Sequence, residues 1–450
     1  MMKPDTQPDQ QAGDNLENAF PVDWGRRLRG EAGLRFLDAT LAELAQTFPR
    51  ERARRTLDEG NHRATVSGML ANLVAASFNR SDSCKYLAVP FNNQAYAGLE
   101  ISLRSAVELR DCLHERGLIE YWSGYFGRDP WGNPRHSRNS RLRAMPAMRA
   151  ALVEAGVGPH SITIADNWLL RMGKRPATDS IPNDVAASRE MLRKVNQRLA
   201  EAQISLPSDR WDCIADRWRR GMEKQNSAVS SSLNYSGDES AVSLYRSFTD
   251  AFEKGGRFYG GWWINIPSEE RLNITIGGEP VVECDYSQLH PVMLYSREGE
   301  KLRFDPYEVP GFGTANRKLA KATFQRLLNG EPDADLAPRV LRASADDDIS
   351  RLPKGSTFRD FVAALIDHNR PIRHWFGKGQ GVHLQREDSD LACGVLAAMK
   401  QVLAAKYDAF PLLKHKAKRS QPPNPSPPLP SITRTRKRPA PRKPGAWGEL

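Results

Sequence analysis

Asp285 closes the hydrophobic run Val281-Val282-Glu283-Cys284 and precedes Tyr286-Ser287-Gln288-Leu289, where a helix is expected to begin near Ser287. A carboxylate at a strand end, with main-chain carbonyls beside it, suits a Mg²⁺ ion that takes one or two carboxylates plus substrate phosphates. The same position also suits a plain helix N-cap, which needs no metal. Arg317 and Lys321 stand i, i+4 in the next strongly helical segment and so share one face. Such a pair can grip a triphosphate, Arg in forked geometry and Lys as a point charge; its bland counterpart is a solvated basic face. Asn329-Gly330 ends that segment, and a glycine there serves as a C-cap. Upstream, GGRFYGGWWINIP crowds Arg257, Tyr259, Trp262, Trp263 and Asn265 into one stretch. Arg beside aromatics can follow a nucleic-acid backbone and stack on bases, and tryptophans equally pack core edges. Downstream, Gln385, Glu387, Asp388 and Asp390 open an expected helix, where acids partner the helix dipole. The run Asp346-Asp347-Asp348 sits in a loop-like segment facing solvent.

The elements that must position these groups follow from periodicity. Residues 1–23, rich in Pro, Gln, Asp and Asn near their start, read as a disordered arm. LRFLDATLAELAQTF, VSGMLANLVAASF, AMRAALVEAG, NDVAASREMLRKVNQRLAEAQI and SLYRSFTDAFEKG repeat apolar residues at helix spacing, so 24–250 reads as mainly helical. RDPWGNPRHSRNSR, residues 128–141, and NSAVSSSLNYSGDES read as loops. RLNITIGGEPVVECDYSQLHPVMLY alternates like two strands about a Gly-Gly turn. ANRKLAKATFQRLLNG, FRDFVAALIDHNRPIRHWF and LQREDSDLACGVLAAMKQVLAAKY are helices, making 255–413 a mixed α/β region. The expected class is α+β.

The chain has 450 residues, and its excess of positive charge is local. Residues 414–450 hold ten Lys+Arg and one acid, Glu449, together with nine prolines, a net of +9. The other 413 residues carry 55 Lys+Arg against 53 acids, only +2. The tail therefore reads as a disordered, basic segment able to hold nucleic acid without sequence preference. Cys84, Cys112, Cys213, Cys284 and Cys393 are odd in number and scattered, with no C-x-x-C pair, which argues against a disulfide framework and a structural zinc site. No apolar run approaches the roughly 20 residues of a membrane span. A cytoplasmic protein without a membrane partner is expected.

Taken in order, these segments resemble the palm and fingers of family-A template-dependent polymerases, a family that includes the single-subunit phage-type RNA polymerases. The resemblance covers about 160 residues, 255–413. Gly256-Arg257 and Asn265-Ile266-Pro267 match the elements before motif A, and Asp285-Tyr286-Ser287-Gln288-Leu289 matches motif A. Asp305-Pro306-Tyr307 lies where the family has a short Asp-containing element. Arg317, Lys321, Asn329 and Gly330 keep the spacing of motif B, and the Gln385 helix resembles the segment before motif C. The resemblance implies that Asp285 is catalytic and holds Mg²⁺. It also implies that Arg317 and Lys321 bind the phosphates of a nucleoside triphosphate, with His290, Asn329 and Gly330 nearby. Arg257, Asn265 and Gln385 would touch the nucleic acid, a DNA or RNA template-primer. The implied activity is nucleotide addition to a primer 3′-hydroxyl, in a protein of phage or mobile-element type.

The chain departs from the family at three places. His290, followed by Pro291, stands where the family senses the sugar 2′-hydroxyl, leaving sugar preference open. Asn329 replaces the tyrosine beside the nascent base pair. Motif C should supply a His-Asp pair carrying a second metal carboxylate, as two-metal chemistry requires. KYDAFPLLKH leads up to it, but His415 is followed by Lys416 and the Pro/Arg-rich tail. The abrupt change of composition points to a slip of reading frame at or just after His415, and to impaired activity in this chain. The competing expectations are a non-catalytic nucleic-acid-binding protein and an unrelated helical protein with coincidental spacings.

Overall fold

The computed structural model describes residues 19–79, 86–128, 134–178, 180–211, 214, 239–264, 266–282, 286–330 and 352–406. Two compact units emerge, Met1–Arg246 with Tyr259–Val281, and Ser247–Phe258 with Val282–Leu450. The protein is mixed α/β, and no helix among the described residues is long and apolar enough to cross a membrane.

In the first unit, β1 (Phe20–Pro21) and β2 (Arg26–Leu28) lead into α1 (Gly30–Thr47) and α2 (Thr56–Ser77). Leu37, Thr40 and Leu44 recur at helical spacing and are the buried face of α1. α2 is enclosed all round: every residue from Thr65 to Ser77 is buried. Gly68, Ala71, Ala75 and Ala76 keep its girth small enough for neighbours on all sides. After it come β3 (Tyr86–Val89), α3 (Leu103–Glu115), β4 (Ile119–Trp122), β5 (Tyr125–Arg128), β6 (Pro134–Arg138), β7 (Ser140–Ala144) and α4 (Pro146–Glu154). A four-stranded sheet has the order β1-β3-β7-β4, with β1 parallel to β3 and the other pairs antiparallel. Leu87, Val89, Ile119 and Leu142 on its inner face share a core with Met69, Leu70 and Leu73 of α2 and Leu109 of α3.

Several buried polar groups of this unit are matched. The Asn72 side chain accepts from Asp23 N at 3.0 Å and donates to Asp23 O at 2.9 Å and Gly68 O at 2.7 Å. Burial pushes the Asp23 carboxyl upward, but Arg171 and Arg26 outweigh it and hold the group below the usual range. Glu108, nearly enclosed, meets Arg50 at 2.9 Å, Arg54 at 3.7 Å and Arg104 at 2.8 Å. Without such partners a buried carboxylate would carry a large desolvation cost.

β8 (Ile162–Ile164), β9 (Leu170–Met172), β10 (Arg175–Pro176), α5 (Asn183–Glu201) and β11 (Ile204–Ser205) follow. β12 (Tyr245–Thr249) and β13 (Ala251–Tyr259) then carry the chain into the second unit and back. β14 (Thr275–Ile276) and β15 (Glu279–Pro280) join β11 in a small sheet. Their turn, Gly277-Gly278, has φ of 59° and 82°, the left-handed pair that a two-residue hairpin needs. Leu206, Trp211, Ile214, Trp262, Ile266 and Ile274 form a satellite core under it.

The second unit adds α6 (Leu289–Arg297), α7 (Arg317–Asn329), α8 (Phe358–His368) and α9 (Gln380–Lys406). Its core is rich in rings: Tyr295, Tyr307, Phe324, Phe358, Phe361 and Phe376 pack with Leu294, Leu327 and Leu365. Thr357 opens α8 with a capping box, accepting from Asp360 N while Asp360 accepts from Thr357 N.

Several expectations are corrected. Phe20-Pro21 is a strand rather than part of a disordered arm, because Phe20 packs on the first core; residues 1–18 lie outside the described residues. The 24–250 stretch holds three strands of the four-stranded sheet, β3, β4 and β7, as well as its helices. Within 128–141, expected as loop, Arg128 ends a strand and residues 134–138 and 140–141 are strand. SLYRSFTDAFEKG is a hairpin, not a helix. Its Leu, Tyr and Phe spacing imitates a helix, but Asp250 takes φ 58° at the turn and burial alternates along β12. The 255–413 stretch is divided: Tyr259–Val281 belongs to the first unit and the rest to the second. The tail from Lys414, His415 and the Asp346–Asp348 run lie outside the described residues.

Candidate functional site

The second unit gathers most of the residues singled out above. Arg257 lies on β13, His290 on α6, Arg317 and Lys321 on α7, and Gln385 on α9.

His290 and Arg257 are linked by charge. Arg257 Nη2 is 3.8 Å from Asp388 Oδ2. His290 is 9% exposed, and its Nδ1 has no hydrogen-bond partner among the described residues. Burial lowers the His290 pKa from its ordinary value and Arg257 lowers it further, against the pull of Asp388 and Glu387. The ring is neutral at pH 7 and keeps one buried nitrogen for another group. α9 is also tied to the hairpin by Arg386, which donates to Phe252 O. The acids here are not first-turn dipole partners as the sequence suggested. α9 begins at Gln380, about one turn earlier, so Glu387 and Asp388 lie inside the helix, where they meet Arg297 and Arg257.

α7 buries Leu319, Ala320, Thr323, Phe324, Leu327 and Leu328, turning its other face outward. Lys321 is on that exposed face and makes no hydrogen bond or ion pair among the described residues. Arg317 is half-exposed and already held: its Nε meets Asp305 Oδ2 at 2.5 Å, and its guanidinium lies 5.4 Å from the Tyr307 ring centre. Asp305 also accepts from Tyr307 N at 2.9 Å. Burial pushes the Tyr307 hydroxyl up to about 12. The guanidinium is thus aimed by a carboxylate and a neutral ring. Its two terminal nitrogens make no hydrogen bond among the described residues and stay available.

Asn329 and Gly330 serve packing. Asn329 Nδ2 donates to Gln325 O at 2.8 Å, and a Cβ added to Gly381 would stand 1.9 Å from Asn329 Oδ1. Only glycine fits there, which brings α7 and α9 to close contact. Gly330 is the C-cap of α7 with its N–H on Arg326 O, but in extended backbone (φ −73°, ψ 151°) rather than left-handed.

Other candidates fall elsewhere. Trp262 is buried in the first unit with its ring 5.1 Å from Trp211, so it is core rather than a stacking platform, and Trp263 packs against the same core. Tyr259, also in the first unit, stacks on Tyr245 at 5.9 Å. Asn265 and Asp285 lie outside the described residues. The N-cap of α6 is Gln288, in left-handed backbone (φ 58°, ψ 34°). No three His, Cys, Asp or Glu side chains among the described residues gather as a metal would require, and no ligand set for Mg²⁺ is assigned.

Sequence reasoning missed two partners. The sequence marks Asp305 by its place in the chain, not as the residue that holds Arg317, and it presents Asp388 as a helix-end acid. Gly377 and Gly379, with φ of 71° and 60°, mark the earlier start of α9 and were the available signal. Comparison with protein-family models, with curated proteins and with solved structures returns no match.

Proposed function

We propose that the chain is a template-dependent nucleotidyltransferase of the polymerase kind, with a palm-and-fingers arrangement in its second unit and an activity weakened by the loss of the motif-C carboxylate after His415. Its substrates are a primed DNA or RNA template and nucleoside triphosphates, and Mg²⁺ is its cofactor. In the reaction a primer 3′-oxygen bonds to the α-phosphorus, the bond from that phosphorus to its bridging oxygen breaks, and pyrophosphate leaves. One observation carries the reading: Arg257, His290, Arg317, Lys321 and Gln385, spread over 129 residues (257 to 385), share one compact unit, with Arg257 reaching Asp388 and acting on His290.

Each residue has a task that its surroundings suit. Lys321, exposed on α7, supplies a point charge to the triphosphate. Arg317, fixed through Nε by Asp305, offers its two terminal nitrogens to phosphate oxygens in forked geometry. Arg257 lies along the primer-template backbone. Neutral His290 presents a ring nitrogen to the nucleotide sugar, and Gln385 contacts the template-primer. Asp285 is the proposed carboxylate for Mg²⁺, which when bound offsets phosphate charge in this type of transfer. Catalysis of this kind is chiefly positioning and electrostatics.

The test is triphosphate binding and primer extension by the full chain. A fluorescent nucleoside triphosphate should bind at least tenfold more weakly to Lys321→Ala. Extension should fall on the order of a hundredfold in that variant and vanish in Asp285→Ala. Unchanged triphosphate affinity in both Arg317→Ala and Lys321→Ala would sink the assignment. A wild-type chain that binds primer-template but no triphosphate would leave a non-catalytic nucleic-acid binder in its place.

A further inference from the structure

The first unit has a second surface with the makings of a binding site, on the side of its sheet away from the core. Side chains alternate between the two faces of a strand. Leu87 and Leu142, paired across β3 and β7, are fully buried on the inner face. Their neighbours Tyr86, Arg143 and Glu120, aligned across β3, β7 and β4, therefore take the outer face, as do Arg141 and Trp122. There the Tyr86 and Trp122 rings lie 5.4 Å apart, and the Arg143 guanidinium sits 5.5 Å from one and 5.8 Å from the other. Tyr86 and Arg141 are buried beneath this layer, and the half-exposed Arg143 pairs with Glu120 at 2.5 Å and donates to Tyr86 Oη at 3.2 Å.

The pattern continues into the β5–β6 hairpin. Gly124 lets the chain turn out of β4, since a Cβ there would stand 2.5 Å from Arg138 O. Tyr125 pairs with Arg138 across the hairpin, and the Arg138 guanidinium lies 5.3 Å from the Tyr125 ring. Tyr125 is 50% exposed and Phe126 61% exposed. Residues 119–144 hold five arginines, no lysine and two acids. Neighbouring exposed rings that form one patch mark a contact surface, and the core of a protein–protein interface is depleted of charge. Here rings and guanidinium groups alternate instead, on a segment of net positive charge.

We propose that this outer sheet face and its β5–β6 hairpin bind single-stranded nucleic acid, whose bases stack on Tyr125, Phe126 and Trp122 while Arg138 meets its phosphates and Arg143 exchanges Glu120 for one of them. A single strand is the partner because every unpaired base offers a π-face, whereas a duplex hides its base faces within the stack. Arginine suits the surface better than lysine, since its planar group stacks on rings and forks onto phosphate at once. All of these groups belong to the first unit, so the proposal stands or falls apart from the nucleotidyl-transfer reading.

The experiment uses the full chain, fluorescein-labelled fifteen-nucleotide oligothymidylate and oligouridylate, and a duplex of the same length. Tyr125→Ala/Phe126→Ala should weaken single-strand binding about fivefold or more. Its salt dependence should stay unchanged and its thermal unfolding should shift little, as both side chains are at least half exposed. Arg143→Gln should lower the slope of log affinity against log salt by about 0.7, one phosphate of a single strand. Photocrosslinking with 5-iodouracil oligonucleotides should tag peptides holding Tyr125 or Phe126. The two oligonucleotides decide between DNA and RNA as the source of the strand. Crosslinks confined to the basic tail, or unchanged affinity in the double variant, would overturn the proposal, the second outcome returning the surface to a protein partner.

Discussion

In the first unit the deepest burial belongs to α2, enclosed on every side from Thr65 to Ser77, whereas α7 in the second unit buries one face and turns Lys321 to solvent. The contrast divides labour. An enclosed helix has no side left for a ligand, and its value lies in fixing everything packed on it. A one-sided helix can hold its place through Phe324 and Leu327 while its polar face is spent on chemistry. The same split separates buried ion groups: Glu108 is surrounded by three arginines, while the Arg317–Asp305 pair stays half-open to water.

Truncating the two kinds of helix tests that contrast with the largest effect. Leu70→Ala in α2 should cost about 4–5 kcal/mol, the upper part of the range for buried leucines, because neighbours hold the cavity open on all sides. Leu365→Ala in α8 should cost about 2–3 kcal/mol, since one side can collapse. Urea unfolding of both variants checks this, and equal losses would remove the distinction. Asn72→Ala should cost about 1–3 kcal/mol by leaving Asp23 N–H and two carbonyls without their partner inside the first unit.

Acid should act on both units. His62, which meets Ser105 Oγ at 2.8 Å, and His290 are both held below the ordinary 6.5, first by burial and then by Arg54 and Arg257 respectively. Glu59 and Glu108 oppose this at His62, Asp388 and Glu387 at His290, and Arg50 adds to it at His62. The unfolded chain takes up these protons first, so the stability they contribute is complete above about pH 6.5 and is lost as pH falls toward the depressed folded values. Unfolding followed from pH 7.5 to 5 should show that decline, and His62→Gln should flatten it. The smallest effect is expected for Arg317→Ala, at most about 1 kcal/mol of stability for a half-exposed pair. A larger loss of stability would make Arg317 a structural residue and blur the line between the units.

Helices were the legible part of this fold. α1, α4, α5, α7 and α8 each have apolar residues at i, i+3 and i+4, and tertiary packing agrees with that local pattern. Strands were less legible because they are short and their outward positions are filled by arginine and aromatic residues, as in β5, β6 and β7. The β12–β13 hairpin misled because Leu244, Tyr245, Phe248 and Phe252 also fit a helical stripe; a left-handed Asp250 settles the matter only in three dimensions. At the site, the spacing of Arg317 and Lys321 was readable, as was the pairing of an exposed Lys with a helix face. The grip of Asp305 on Arg317 was not, since it spans a bend of twelve residues with no period of its own.

The chain order has a consequence for biosynthesis. The first unit is not complete at Arg246: its satellite core needs Trp262, Ile266 and Ile274, which leave the ribosome only after Ser247–Phe258 of the other unit. During translation Trp211 and Leu206 must therefore wait for a distant segment, and the strand bearing Arg257 must in turn wait for α6 and α9. A nascent chain released early would expose both sets of surfaces together. Ribosome pausing beyond Val281, rather than before it, is the timing that this threading favours.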